Sequence, residues 1–150
     1  MKLSTKHFGE IDIDEKKIIN FIDGIPGFEE EKRFVIIDNP EDGVPFKWLQ
    51  SLDETELAFV IINPFIFKQD YEFNIPDQTI EKLKIKEEKD VAVYSIVNIP
   101  EDITKMTANL LGPVIINIKE MLGKQIVLDD NRYKTKHFIL EEAKAKGKEE

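Results

Sequence analysis

The feature that most constrains this chain is a series of short β-branched and aromatic runs separated by turn-forming residues. The runs lie at 18–22, 33–37, 57–62, 90–97, 110–118 and 124–128. Such residues pack well on a pleated surface, whereas the Gly, Pro, Asn and Asp at 23–27 and 38–43 favour turns. Many short strands with turns between them predict a mainly β protein, either a sandwich or a partly closed barrel, with the strands largely antiparallel.

Several runs are apolar at consecutive positions, as at 35–37 and 114–116. A strand that is buried on both faces has this pattern, which occurs when a sheet curls or is covered by another layer. The best helical candidate is 76–85, where Asp77 could cap the N-terminus and Ile80 and Leu83 share a face. We expect only one or two short helices.

The chain has no internal repeat or flexible linker, so residues 1–140 are predicted to form one domain. Residues 141–150 contain no large apolar side chain and many charges. Because such a segment cannot bury surface against a core, we predict a disordered tail that forms at most a transient helix.

The net charge restricts the kinds of molecule that the protein can bind. The formal charge of −9 disfavours direct binding to nucleic acid or anionic lipid, and permits attraction to a basic protein. The alternative is that acidity only maintains solubility. The chain has no cysteine and no apolar run near the ~20 residues that span a bilayer, and its start does not resemble a signal peptide. These features predict a cytoplasmic protein.

No motif for catalysis, a cofactor or a metal ion is evident. The histidines, His7 and His137, lack metal-ligand spacing, and no serine lies in a nucleophile elbow. Asp129 and Asp130 lack the alternating ligands and glycine of a calcium-binding loop, so a hairpin turn is the simpler interpretation. We therefore expect no enzyme activity.

The segment 65–73 is rich in aromatic residues. Phe65, Phe67, Tyr71 and Phe73 have odd numbers, so a strand here would place all four rings on one face. That face would either belong to the core or form an exposed aromatic patch for a protein partner.

Six short motifs follow one another along the chain. They are Thr-Lys-His-Phe-Gly-Glu-Ile at 5–11, Gly-Ile-Pro-Gly-Phe at 24–28, Phe-Lys-Trp-Leu-Gln-Ser at 46–51, Asn-Pro-Phe at 63–65 leading to Asp-Tyr at 70–71, Thr-Ala-Asn-Leu-Leu-Gly-Pro-Val-Ile-Ile-Asn at 107–117, and Gly-Lys-Gln-Ile-Val-Leu at 123–128. In this order the motifs resemble the FliW family. The resemblance implies antiparallel sheet curled into a barrel-like body and no catalysis.

The resemblance also implies two protein partners. One is flagellin, bound in the cytoplasm before export, and the other is CsrA, a translational regulator that is antagonised allosterically when the protein is released from flagellin. We expect a monomer when free. The candidate partner-binding residues are Phe65, Phe67, Asp70, Tyr71, Glu29, Glu30, Glu31, Asp129 and Asp130. The alternatives are an enzyme on a β scaffold, and a structural protein that self-assembles through an edge strand.

Overall fold

The computed structural model describes residues 1–39 and 45–148, and its regular structure is mainly β. The strands are β1 Lys2–Thr5, β2 Gly9–Asp12, β3 Ile19–Phe21, β4 Arg33–Asp38, β5 Phe46–Ser51, β6 Ala58–Ile62, β7 Val91–Asn98, β8 Thr107–Ala108, β9 Val114–Asn117, β10 Leu122–Gln125 and β11 His137–Phe138. The helices are α1 Asp77–Lys82 and α2 Ile139–Lys148. Most of the turn predicted at 38–43 lies outside the described residues.

Seven strands close into a ring. Their order is β7-β6-β5-β4-β3-β10-β9, and β9 pairs again with β7. Closure is possible because the two halves of β7 have different partners, β9 for Val91–Tyr94 and β6 for Ser95–Val97. Within the described chain, β3 with β10 is the one parallel pair, and β8 and β11 extend the sheet beyond β7. The antiparallel, barrel-like fold with few short helices is confirmed.

The barrel interior is filled by aliphatic and aromatic side chains that include Phe21, Phe34, Leu49, Ile61 and Ile116. The outside of the barrel is covered in three places. The hairpin of β1 and β2 packs against β4, the α1 region packs against β9, and the segments around 67–73 and 133–139 pack against β6 and β7. Both faces of these strands are therefore buried.

This covering accounts for the consecutive apolar residues. Phe34 belongs to the interior, while its neighbour Val35 packs with Leu52 and the hairpin. In β9, Val114 and Ile116 point inward and Ile115 packs outside with Leu83. Burial of each such side chain contributes about 1.5–3 kcal/mol, and the prediction of strands buried on both faces is confirmed.

Helix α1 lies where the sequence predicted it, but its N-terminus differs. The carbonyl of Pro76 accepts the N–H groups of Thr79 and Ile80, so Pro76 is the N-cap and has no side-chain cap bond. Asp77 is consequently the first helical residue, and the prediction that it caps the helix is wrong. The helix ends at Lys82 with Leu83 as its C-cap, and Lys84 follows with φ of +55°.

A buried asparagine secures the end of α1. The Asn117 Nδ2 donates to the carbonyls of Leu83 (2.7 Å) and Lys84 (3.1 Å), and its Oδ1 accepts the N–H groups of Lys119 and Glu120. One side chain thus satisfies a helix C-terminus and the turn after β9 together, which are groups that would otherwise be left without partners.

We expect the substitution Asn117→Ala to lower the free energy of unfolding by about 2–3 kcal/mol, because the buried Leu83 carbonyl and three part-buried backbone groups lose their partners. Urea unfolding followed by circular dichroism measures the change. The control is the exposed Asn98, whose replacement by alanine should cost less than about 0.5 kcal/mol. Equal effects of the two substitutions would contradict this role for Asn117.

Residues Ile139–Lys148 form helix α2, which occupies most of the segment predicted as a tail. Ile139 is buried against the body, and its N–H donates to the carbonyl of Met106. The first turn of α2 is therefore fixed to the barrel. The division into a domain at 1–140 and a disordered tail at 141–150 remains a prediction.

Candidate functional site

The aromatic segment that follows β6 is not a strand. The Asn63 Oδ1 accepts the Phe65 N–H at 3.0 Å and caps a single 3₁₀ turn at Pro64–Ile66. The chain turns again before Tyr71, whose N–H donates to the carbonyl of Lys68. The four rings therefore do not share one strand face, because side-chain capping by Asn63 and the missing N–H of Pro64 favour a turn over sheet pairing.

Three of the four rings nevertheless form a continuous row. The ring centroids of Phe65 and Tyr71 are 5.7 Å apart, and those of Tyr71 and Phe73 are 5.2 Å apart. Tyr133 meets Tyr71 edge-on at 4.7 Å. Such contacts stabilise a cluster beyond the area that it buries. The turns in the segment therefore bring these rings together, and no strand is needed.

Burial separates these residues into two kinds. Phe67 and Tyr71 are each only 3% exposed and belong to the core, whereas Phe65 is 39% exposed. The Tyr71 hydroxyl donates to the carbonyl of Leu110 at 2.6 Å, and burial raises the pKa of that hydroxyl. Phe65 is thus the aromatic candidate that a partner can reach directly, and the partner-binding role of the segment stays a prediction.

A groove of about 700 Å³ runs along this row. Phe65, Tyr71 and Phe73 contribute to its lining. The other apolar residues of the lining include Ile80 of α1, Ile85 just after α1, and Val91 and Val93 on the outer face of β7. We call this feature the groove. Because most of these apolar side chains are only half-buried, the groove presents apolar surface to solvent.

The charges in the groove have one sign. Glu72, Asp77 and Glu88 contribute to the lining, and all three are exposed. Among the described residues that line the groove there is no lysine or arginine. The groove therefore combines an apolar surface with an acidic rim, which favours an apolar segment that carries basic residues.

Asp129 and Asp130 lie beside the aromatic row. The guanidinium of Arg132 pairs with Asp130 at 2.8 Å and with Glu72 at 2.9 Å. The hydrogen bond from Arg132 holds the pKa of the Asp130 carboxyl below its usual value. Asp129, Asp130, Glu72 and Phe73 border a second cleft of about 450 Å³. The structure thus brings these aspartates next to the groove, although the sequence separates them by some sixty residues.

Lys68 forms a connection that the sequence did not suggest. Its ammonium pairs with Asp70 and with Glu142 of α2, both at 3.3 Å, and Glu142 also contacts the His137 Nδ1 at 3.1 Å. Burial opposes ionisation of Glu142, but the hydrogen bond from His137 and the ammonium of Lys68 outweigh it and lower the pKa. Asp70, a predicted partner-binding residue, therefore already forms an ion pair with Lys68.

Glu29, Glu30 and Glu31 lie elsewhere, in the connection between β3 and β4. The Glu29 carboxylate accepts the Gly27 N–H at 2.8 Å, which lowers the pKa of Glu29. The adjacent Phe28 packs edge-on against Phe59 at 5.3 Å. None of the three glutamates lines the groove within the described chain, so the predicted candidates fall on two surfaces.

Residues 1–39 and 45–148 contain no cluster of three or more His, Asp or Glu side chains placed to hold a metal ion. No helix among them is both long and apolar enough to cross a membrane.

The comparisons with known proteins agree with one another. A family model described as "FliW protein" matches residues 2–139. Flagellar assembly factor FliW of Alkaliphilus metalliredigens is 54% identical over 95% of this chain and 88% of its own length, and that of Thermoanaerobacter pseudethanolicus is 47% identical over 96% of both chains. A crystal structure of the flagellar assembly factor FliW superposes with a TM-score of 0.86 at 44% identity, covering 93% of this chain and 96% of the other.

Proposed function

Because the chain belongs to the FliW family, we propose that it is a flagellar assembly factor that binds flagellin in the cytoplasm and, when released, binds and antagonises CsrA. The observation that carries this proposal is the match over residues 2–139 together with relatives named flagellar assembly factor. The proposed role needs protein binding and no catalysis.

The physical properties of the chain support binding to such partners. A protein that binds RNA, as CsrA does, must be basic somewhere, and this chain carries a net charge of −9. Opposite charges speed encounter and reduce pairing with wrong partners. The groove offers apolar surface for a second kind of contact. The two partners therefore call for different chemistry, charge for one and apolar burial for the other.

We also propose that the free protein is a monomer. A closed ring leaves few strand edges for pairing with another copy, and the described sheet ends at β11, which is two residues long. Light scattering on the purified protein should give the mass of one chain. A stable dimer would instead favour the self-assembling alternative.

The proposed function is tested with purified flagellin and CsrA from the same bacterium. We expect the chain to bind each protein by calorimetry, and excess flagellin to remove it from CsrA. Binding to CsrA should also relieve repression of flagellin synthesis in a cell-free translation assay. Failure to bind either protein would contradict the proposal.

Salt dependence gives a separate prediction for CsrA. If net charge steers the encounter, the association rate should fall by about tenfold between low and physiological ionic strength, while dissociation changes less. Stopped-flow fluorescence or surface plasmon resonance measures both rates. An association rate that does not change with salt would exclude steering.

Amide substitutions then locate the surface that is responsible. Replacing Glu29, Glu30 and Glu31 by glutamine should slow association if these residues face CsrA. The matched control replaces Glu10, Asp12 and Glu15, which are also exposed, by their amides. Equal slowing by both sets would indicate a general effect of net charge. If neither set slows association, Asp129 and Asp130 become the next candidates.

A further inference from the structure

The groove is apolar surface that the fold leaves open. In other places the outer face of a barrel strand is covered, as Val35 is by the hairpin of β1 and β2 and Ile115 is by the α1 region. Val91 and Val93 of β7 pack only partly against that region and stay half-buried. Apolar surface that remains accessible beside a covered core is typical of a binding site.

The composition of the groove restricts its occupant. An apolar lining that includes Phe65, Phe73 and Ile80 favours a segment with an apolar face. The three acids Glu72, Asp77 and Glu88 disfavour an acidic segment and favour Lys or Arg beside that face. Arg132 already neutralises Glu72, so Asp77 and Glu88 are the more available charges.

The elements that line the groove suit a helix. Its lining comes from the aromatic segment, from α1 and the residue Ile85 after it, and from Val91 and Val93 in the first half of β7. An amphipathic helix fits such a trough by placing its i, i+3 and i+4 apolar side chains inside it and its polar side chains outside.

We propose that the groove binds an amphipathic helix of flagellin whose apolar face is bordered by Lys or Arg residues. This inference rests on the proposed function for the identity of the protein that supplies the helix. The apolar side chains of the helix contact Phe65, Phe73 and Ile80. Its basic residues lie toward Asp77 and Glu88.

Two pairs of substitutions test the groove. Phe65→Ala removes an exposed ring from it, and the matched control Phe28→Ala removes a ring of the same 39% exposure that lies in the connection between β3 and β4. Glu88→Lys reverses one charge of the rim, and Glu15→Lys makes the same change at an exposed position outside the groove. Circular dichroism and thermal unfolding confirm that each variant is folded.

The probes are full-length monomeric flagellin and synthetic peptides that cover its terminal helices. We expect Phe65→Ala and Glu88→Lys each to weaken binding of flagellin, and of one peptide, by about tenfold or more, and the controls to change it by less than about threefold. Replacing the basic residues of that peptide by glutamate should abolish binding to the wild-type protein.

The outcomes separate the inference from the proposed function. If wild-type protein and groove variants bind flagellin equally, the groove assignment is wrong while the proposed function stands. The groove is also not the flagellin site if Phe65→Ala weakens binding to CsrA instead of flagellin. If the wild-type protein does not bind flagellin at all, both are overturned.

Discussion

Replacing Gly24 by alanine is expected to lower the free energy of unfolding by about 3 kcal/mol or more. Gly24 has φ of +68°, a region that side chains with a Cβ rarely adopt. A Cβ built at this position would lie 2.6 Å from both the Cα and the carbonyl oxygen of Glu29. These are backbone atoms, so they cannot move aside by changing a rotamer, and the whole connection between β3 and β4 would have to shift.

Gly27 in the same connection provides the matched control. It also has positive φ, +89°, but a Cβ there would meet nothing within 4 Å. Gly27→Ala should therefore cost only the conformational strain, about 1 kcal/mol. Urea unfolding of both variants separates the steric cost from the conformational cost. If the two variants are equally stable, the close approach of Gly24 to Glu29 does not matter for folding.

The sequence indicates the backbone conformation of this turn but not its close contacts. The spacing Gly24-Ile25-Pro26-Gly27 indicates a turn that needs positive φ, and both glycines do have it. Of these two glycines only Gly24 is obstructed, and their spacing in the sequence gives no sign of the difference. Gly24 is crowded because the backbone of Glu29 lies against it, and the position of that backbone is set only when the turn folds.

Most strands were predictable because their residues carry a local signal. The runs at 33–37, 57–62 and 90–97 coincide with β4, β6 and β7 to within a few residues. Strand β5 was missed, although it lies between β4 and β6 in the ring. Its sequence Phe-Lys-Trp-Leu-Gln-Ser mixes polar and apolar residues without regular alternation, since the apolar side chains of adjacent residues lie on opposite faces: Leu49 faces the interior and Trp48 packs outside against Phe8. Pairing with neighbouring strands stabilises it more than its own propensity does.

Closure of the ring could not be predicted from the residues alone. It depends on β7 pairing with β9 along its first half and with β6 along its second half. Neither pairing leaves a local signal, because both halves of β7 contain similar apolar residues. The residues alone are therefore compatible with a sandwich and with a barrel, and only the resemblance to the FliW family favours the barrel.

The candidate site was predicted in part. The sequence identified the aromatic segment, and the structure places Phe65 and Tyr71 in the lining of the groove. The alternation of aromatic residues did not determine the conformation, because it is compatible with a strand and also with a turn capped by Asn63. The contributions of α1 and β7 to the groove were not found, since these residues are remote in sequence and half-buried apolar positions give no distinct pattern.

The buried rings of the aromatic segment stabilise the fold. Phe67→Ala should lower the free energy of unfolding by about 3–5 kcal/mol, because the ring is buried among the side chains that cover β6 and β7. Tyr71→Ala should have an effect of similar size. It removes the contacts with Tyr133 and Phe65 and leaves the Leu110 carbonyl without its hydrogen bond. Thermal and urea unfolding of purified variants measures both effects.

Tyr71→Phe separates the two parts of the tyrosine effect. The ring stays in place, and only the 2.6 Å hydrogen bond to the Leu110 carbonyl is lost. This variant should cost about 1–2 kcal/mol, well below the alanine substitution. Equal losses for phenylalanine and alanine would indicate that the hydrogen bond, and not the aromatic packing, holds the segment on the barrel.

Phe65 gives the contrast that relates stability to binding. Because 39% of Phe65 is exposed, Phe65→Ala should change stability by no more than about 1 kcal/mol. If the segment binds a partner, this variant should lose affinity while it keeps its fold, whereas Phe67→Ala should lose its fold first. A large loss of stability in Phe65→Ala would place all of the rings in the core. The aromatic segment would then support the barrel without forming a docking surface.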